Sequence, residues 1–240
     1  MKINKKLIIS QAIKARIKFK LGTNTNIDIF DKLKQNENFT FVFMPFDESI
    51  DGFSSRHKDH FIIIINSNKR KSRMNFTCAH ELYHLLYEYN DKDEYIGTKE
   101  TEPSADIFAS YFLIPEEALY LYLDKHNLLN QKELNLKDIV NMEDYFQVSR
   151  AALLIRLKDV KLINTSEFDK FNKNISFSRK KYGTTSSELD SVNGKKYTIG
   201  EYNILAKKLL DENKISLGKY QEYMIDAFNP SNALGISEDN

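Results

Sequence analysis

Several kinds of residue are scarce in this 240-residue chain, and each scarcity excludes a class of protein. Cys78 is the single cysteine, so no disulfide can form within the chain, and a reducing compartment is favoured. Eight glycines and four prolines are too few for a collagen-like or Gly/Pro-rich disordered chain. An excess of one charge is missing as well, because 35 basic residues face 34 acidic ones and the net charge is +1. Overall charge therefore gives no attraction to nucleic acid or to an anionic membrane.

Long apolar runs are missing too. No uninterrupted run approaches the roughly 20 residues that a membrane-spanning helix needs, and the run Phe61–Ile65 ends at Asn66. The basic N-terminus is similar to the start of a signal peptide, but its apolar stretch covers only residues 7–9 and no small-residue cleavage site follows. We therefore expect a cytoplasmic protein with no membrane partner. A hydrophobic content of 41% is enough for one main core.

Periodicity divides the chain into a main domain and a C-terminal extension. Residues 1–163 contain β-rich runs at 39–44 and 60–66, with helical patterns before and after them. Residues 164–199 are polar and weakly periodic, which predicts a linker or an irregular segment. Residues 200–240 are predicted to form a helical pair followed by a polar tail. Strands followed by helices predict an α+β fold that contains a twisted sheet.

The opening helix is predicted at residues 4–20 and is amphipathic. The basic residues of this helix, Arg16 among them, are interpreted as a solvated face. Gly22 marks its end. The apolar stripe that we expect to pack on the core consists of Leu7, Ile8, Ala12, Ile13 and Ile17.

The motif His80-Glu81-x-x-His84 lies within a helical pattern that runs from about Ser72 to Tyr89. Residues four apart share one face of a helix, so the imidazoles of His80 and His84 can bind one metal ion. Glu81 lies about 100° round the helix axis from His80, where it can act as a general base without being a ligand. The chain has only five histidines, so a chance match to this pattern is rare. The motif therefore predicts a metal site with Glu81 as the catalytic base.

A tetrahedral site with two histidines needs a third protein ligand. Glu102 begins the next helical pattern and is the candidate, because it shares a helical face with Asp106 four residues later. Glu100 is the rival, but it points away from that face. Asp106 is predicted to accept the second ring N–H of a ligand histidine. Two histidines and one carboxylate suit zinc, and the same ligands can bind manganese or iron(II).

Three segments, Arg73–His84, Glu102–Ala109 and Phe112–Pro115, have the order and spacing of a known family. They resemble the ImmA/IrrE family of metallo-endopeptidases, and the resemblance covers roughly residues 1–163. It implies a small zincin-like metallopeptidase core of the gluzincin type, with a twisted sheet, a motif helix and a ligand helix. A helix-turn-helix-like bundle at about 134–159 accompanies the peptidase core in that family.

The resemblance also implies a function and a partner. Members of the family are bacterial or phage regulators that cleave DNA-binding repressors of the helix-turn-helix class and so release mobile-element or stress genes. The expected activity is therefore that of a zinc-dependent endopeptidase in transcription regulation. Its expected partner is a protein substrate, a helix-turn-helix transcriptional repressor. This substrate class rests on resemblance alone, because spacing within a motif does not identify a substrate.

Two other functions stay open at the level of sequence. The helix-turn-helix outline at 134–159 could bind DNA, with Arg150 and Arg156 facing a groove. Its basic and acidic residues balance, which argues against direct DNA binding because phosphate neutralisation dominates such affinity. The chain could also bind a repressor without cutting it, and only the intact Glu81 argues against that.

An endopeptidase must also hold its substrate in an extended conformation across the metal. The strand at 60–66 directly precedes the motif helix, and we expect it to form a sheet edge whose backbone pairs with the substrate. Ile63, Ile64 and Ile65 are therefore the predicted substrate-binding residues.

Overall fold

The computed structural model describes residues 3–36, 38–90, 92, 94–129, 133–183, 192 and 194–229. Its strands are β1 (Phe39–Met44), β2 (Gly52–His57), β3 (His60–Asn66) and β4 (Tyr197–Gly200). The described helices are α1 (Lys5–Lys18), α2 (Ile29–Leu33), α3 (Lys71–Tyr87), α4 (Glu102–Leu113), α5 (Glu116–Lys125), α6 (Leu136–Phe146), α7 (Arg150–Asp159), α8 (Thr165–Phe171), α9 (Ile175–Tyr182), α10 (Glu201–Asp211) and α11 (Leu217–Asp226). None of these helices combines the length and the apolar character that crossing a bilayer requires.

The four strands form one mixed sheet in the order β2-β3-β1-β4. β1 runs parallel to β3, with Phe41 opposite Ile63, while β2 pairs with β3 and β4 pairs with β1 in the antiparallel direction. One face of the sheet packs against α3, and α4 packs against α3 and α1. The prediction of an α+β fold is confirmed.

β3 is an interior strand, so its prediction as a sheet edge is wrong. β2 and β1 occupy its two sides, and no backbone groups remain along it for a substrate. Ile63 and Ile65 are fully buried in the core, and Ile64 pairs with Val42 and Phe53 on the neighbouring strands. Ile63, Ile64 and Ile65 are therefore not positioned to bind a substrate. Local periodicity reports which face of a strand is buried, and it does not report which strands lie beside it.

Part of the stripe predicted for α1 is also wrong. Leu7 and Ile17 are more than half exposed, whereas Arg16 is fully buried. The guanidinium of Arg16 donates hydrogen bonds to the carbonyl oxygens of Gly22 at 2.5 Å, Thr25 at 2.7 Å and Phe112 at 2.6 Å. Burial lowers the pKa of Arg16 to about 10, so the side chain stays charged at neutral pH. Arg16 thus joins the end of α1 to the C-terminal end of α4.

The segment predicted as a linker at 164–199 contains α8, α9 and part of β4. Arg179 of α9 donates at 2.8 Å to both Glu143 and Asp144 of α6, and Arg150 of α7 also contacts Glu143. Arg179 thus connects α9 to α6 through charged hydrogen bonds. Sequence composition alone does not show that pairing, since the partners lie more than 30 residues away.

We expect Arg16→Ala to lower the free energy of unfolding by about 3 to 5 kcal/mol, because several buried carbonyl oxygens would lose their charged donor. Lys14→Ala, an exposed position on the same helix, should change it by less than about 0.5 kcal/mol. Urea denaturation followed by circular dichroism measures both. Equal effects of the two variants would show that Arg16 does not support the packing of α1 on α4.

Candidate metal centre

Helix α3 holds both histidines of the motif at the edge of the core. Its apolar face, which includes Cys78, Leu82 and Leu85, is fully buried. This packing leaves His80 and His84 together at one end of a cleft, with ring centres 4.8 Å apart. The candidate ligand atoms of His80, Glu81 and His84 all lie within 4.8 Å of one another. The helix therefore brings the three motif side chains into reach of a single ion, as their spacing predicts.

Glu102, the first residue of α4, lies opposite the two histidines. Its Oε2 is 3.1 Å from Nε2 of His80, and its Oε1 is 3.8 Å from Nε2 of His84. One carboxylate thus spans the two ring nitrogens that face the cleft. Glu100 is exposed in the turn before α4. Of the two glutamates, only Glu102 is positioned as a third ligand.

A carboxylate also lies behind each histidine. Oδ1 of Asp106 is 3.0 Å from Nδ1 of His80, and Oε2 of Glu88 is 2.6 Å from Nδ1 of His84. In a neutral imidazole both contacts favour the ring proton on Nδ1, which leaves Nε2 as the nitrogen that can bind a metal in the cleft. Two Nε2 lone pairs and one carboxylate are the donor set that zinc prefers in catalytic sites. The residues present therefore fit a zinc ion.

Glu88 is a contact that our sequence reasoning missed. It is buried next to His84, and the hydroxyl of Tyr95 donates to the same Oε2 at 3.0 Å. The sequence could have predicted this contact, because Glu88 lies four residues after His84 and thus on the same face of the helical pattern. Tyr95 had no such signal, since it lies outside both helices.

Glu81 has surroundings that differ from those of Glu102. It is buried, and its Oε2 accepts a hydrogen bond of 2.8 Å from the hydroxyl of Ser54 on β2. Burial raises the pKa of Glu81, although the Ser54 hydrogen bond and the nearby imidazoles oppose the rise. A carboxylate with a raised pKa is suited to accept and return a proton near neutral pH. Sequence reasoning missed Ser54, which comes from the sheet.

His80 is affected by the surrounding negative charge. Burial alone would lower its pKa, but the hydrogen bond with Asp106 and the charges of Glu81, Asp106 and Glu102 outweigh burial and raise it. In the absence of metal the site therefore favours a proton on His80. Because a metal must displace that proton, metal affinity should weaken as the pH falls.

The cleft around these residues has a volume of about 440 Å³. Its lining includes His80, Glu81, Glu102 and Asp106, together with residues from the turn before β2 and from the first half of α3. β3 contributes no lining residue. The structure thus brings five of the predicted site residues together, namely His80, Glu81, His84, Glu102 and Asp106, and leaves Ile63, Ile64 and Ile65 outside the cleft.

A comparison of the chain with models of protein families shows the family to which it belongs. The family model for the IrrE N-terminal-like domain, peptidase M78, matches residues 35–158, which is more than half of the chain. The matched region contains all of the side chains of the candidate metal centre. The chain belongs to the M78 peptidase family. The resemblance to the ImmA/IrrE family is therefore confirmed, and no curated protein matches the chain.

In this M78 family member, we expect Glu102→Ala to weaken zinc binding far more than Glu100→Ala does. The first change removes a carboxylate that lies 3.1 Å from His80, whereas the second removes an exposed side chain. A competition titration with a zinc chelator measures both affinities. Glu100 would be the ligand if the order of the two effects were reversed.

Glu88→Ala should lower metal affinity by about 10 to 100-fold, because the ring of His84 would lose the acceptor that orients it. Glu88→Gln keeps an oxygen acceptor at the same position and should retain most of the affinity. Asp106→Ala should lower affinity by about 10 to 100-fold for the same reason at His80. A chelator titration that gives the same metal affinity for Glu88→Ala and Glu88→Gln would argue against an orienting role for Glu88.

Proposed function

We propose that this M78 family member is a zinc-dependent endopeptidase. His80, His84 and Glu102 would hold the metal, and Glu81 would be the catalytic base. The observation that supports this most directly is the convergence of two Nε2 atoms on one carboxylate while Glu81, beside them, is bonded to Ser54 instead. Manganese and iron(II) suit the same ligands, and elemental analysis of the purified protein distinguishes the three metals.

The chemistry divides between the metal and Glu81. When bound, zinc supplies a Lewis acid that polarises the scissile carbonyl and lowers the pKa of water. Glu81 accepts a proton at a carboxylate oxygen from the attacking water, and then delivers it to the nitrogen of the leaving amine. Ser54 orients Glu81 through its 2.8 Å hydrogen bond. The carboxylates of Asp106 and Glu88 keep Nδ1 of the two histidines protonated.

We propose that the substrate pairs with β2. In the described sheet β2 has β3 on one side and no strand on the other, so its outer backbone groups are available. Ser54 lies on this strand and contacts Glu81, so a polypeptide added along β2 passes next to the catalytic base. This position replaces the one that we predicted on β3.

We propose that the substrate is a DNA-binding repressor in the cytoplasm, cleaved to derepress mobile-element or stress genes. This identity is supported by the resemblance to the ImmA/IrrE family and by membership of the M78 family. Direct DNA binding has less support. Arg150 and Arg156, which would face a groove, are both buried. Arg150 pairs with Glu143, and the guanidinium of Arg156 lies 3.6 Å from the ring centre of Tyr111.

Two variants separate metal binding from catalysis. His84→Ala should lose the bound zinc because a ligand is removed, whereas Glu81→Gln should keep zinc and lose cleavage by about 10²- to 10⁴-fold. Zinc content by elemental analysis and cleavage of a proteome-derived peptide library measure the two properties. If zinc-loaded wild type cuts no more than Glu81→Gln does, this protein would be a regulator that binds repressors without cutting them. Unchanged zinc in His84→Ala would place the metal elsewhere.

A further inference from the structure

A second cavity of about 310 Å³ adjoins the metal centre. It lies between α3, α4 and α7, and it shares Arg73, Phe76 and Asp106 with the cleft around His80. Oδ1 of Asp106, on the wall between them, is 3.0 Å from Nδ1 of His80. The cavity therefore begins one side chain away from the ring of a candidate zinc ligand.

The lining of this cavity is mostly apolar. Phe76 comes from α3, Ile107 from α4, and Ala151, Ala152 and Ile155 from α7. The three α7 residues follow helical spacing, so one face of that helix forms a wall. Ile155 is 49% exposed although it faces a cavity. The wall thus offers apolar surface that the described part of the chain does not cover.

The charged residues at the rim already have partners. Arg73 pairs with Asp51, Asp106 contacts His80, and Asp159 pairs with Lys5 at 2.8 Å. A charged ligand group entering the cavity would have to compete for one of these pairs or lose its hydration without compensation. An uncharged apolar group would bury surface against Phe76, Ile107 and Ile155 without that cost.

We propose that this cavity binds a large apolar side chain of the substrate, such as leucine, isoleucine, methionine or phenylalanine, next to the bond that is cut. The inference rests on the proposed peptidase function, because the occupant is a part of the substrate that reaches the metal centre. The cavity volume of about 310 Å³ lies at the lower end of the range of small-ligand pockets, about 300 to 1,000 Å³. α7, from the helix-turn-helix-like pair, then serves substrate selection instead of DNA recognition.

The specificity of cleavage tests this assignment. Zinc-loaded wild type should cut a proteome-derived peptide library with a preference for large apolar residues at one position beside the scissile bond. Ile155→Glu places a carboxylate in the cavity, so it should reduce that preference by at least about tenfold in relative kcat/KM and admit lysine or arginine. Leu121→Glu is the matched control, because Leu121 is 48% exposed on α5 and lies outside the cavity. It should cut as wild type does.

Ala151→Trp gives a second, steric test at an exposed position of the same wall. It should fill the cavity and shift the preference to small residues, and circular dichroism verifies that both α7 variants are folded. If folded Ile155→Glu and Ala151→Trp select the same residues as wild type, the cavity does not determine specificity and the inference is wrong, whereas the peptidase function stands.

A binding measurement separates the inference from the proposed function. N-acetylphenylalaninamide added to the full-length Glu81→Gln protein should shift the methyl resonances of Ile107 and Ile155, and Ile155→Glu should abolish the shift at Ile107. This result together with an inactive wild type would support the cavity and overturn the peptidase function. No shift at either residue would contradict the cavity as an apolar site.

Discussion

The packing of α4 on α3 is the interaction on which the metal centre depends. Glu102 lies 18 residues after His84 in sequence, and it reaches the histidines only because the two helices are in contact. Fully buried Ala105 and Ala109 on α4 allow close approach, and the ring of Phe108 lies 5.5 Å from that of Tyr83. A hydrogen bond from Arg16 to the carbonyl oxygen of Phe112 then connects the end of α1 to the last turn of α4. The position of the third ligand is therefore a consequence of core packing.

The centre concentrates negative charge around two imidazoles. The four carboxylates that surround His80 and His84 are Glu81, Glu88, Glu102 and Asp106. Burial disfavours a charged His80, yet the neighbouring carboxylates raise its pKa in the folded protein. Protonated His80 thus stabilises the fold below its unfolded pKa, and that stabilisation is lost as the pH rises through the folded pKa. At neutral pH a divalent cation can replace the lost positive charge.

The helix-turn-helix-like pair has the helices that its sequence pattern predicts, and the arginines of its second helix are buried. α6 and α7 form where they were expected, with Ser149 capping α7 through a hydrogen bond to the backbone N–H of Ala152. The arginines of α7 point inward instead of to solvent. Arg156 donates to the carbonyl oxygen of Ile114, beside the C-terminal end of α4. α7 is thereby packed against the helix that supplies Glu102.

The sequence by itself determined the features that depend on spacing within one helix. His80, Glu81 and His84 follow from helical geometry, as does the shared face of Glu102 and Asp106, and Glu88 could have been found in the same way. The tertiary structure alone decided that β3 is interior, that Ser54 holds Glu81 and that Arg16 is buried. Periodicity describes neighbours one or two turns apart, whereas strand order and the partner of a buried charge depend on contacts between segments distant in sequence.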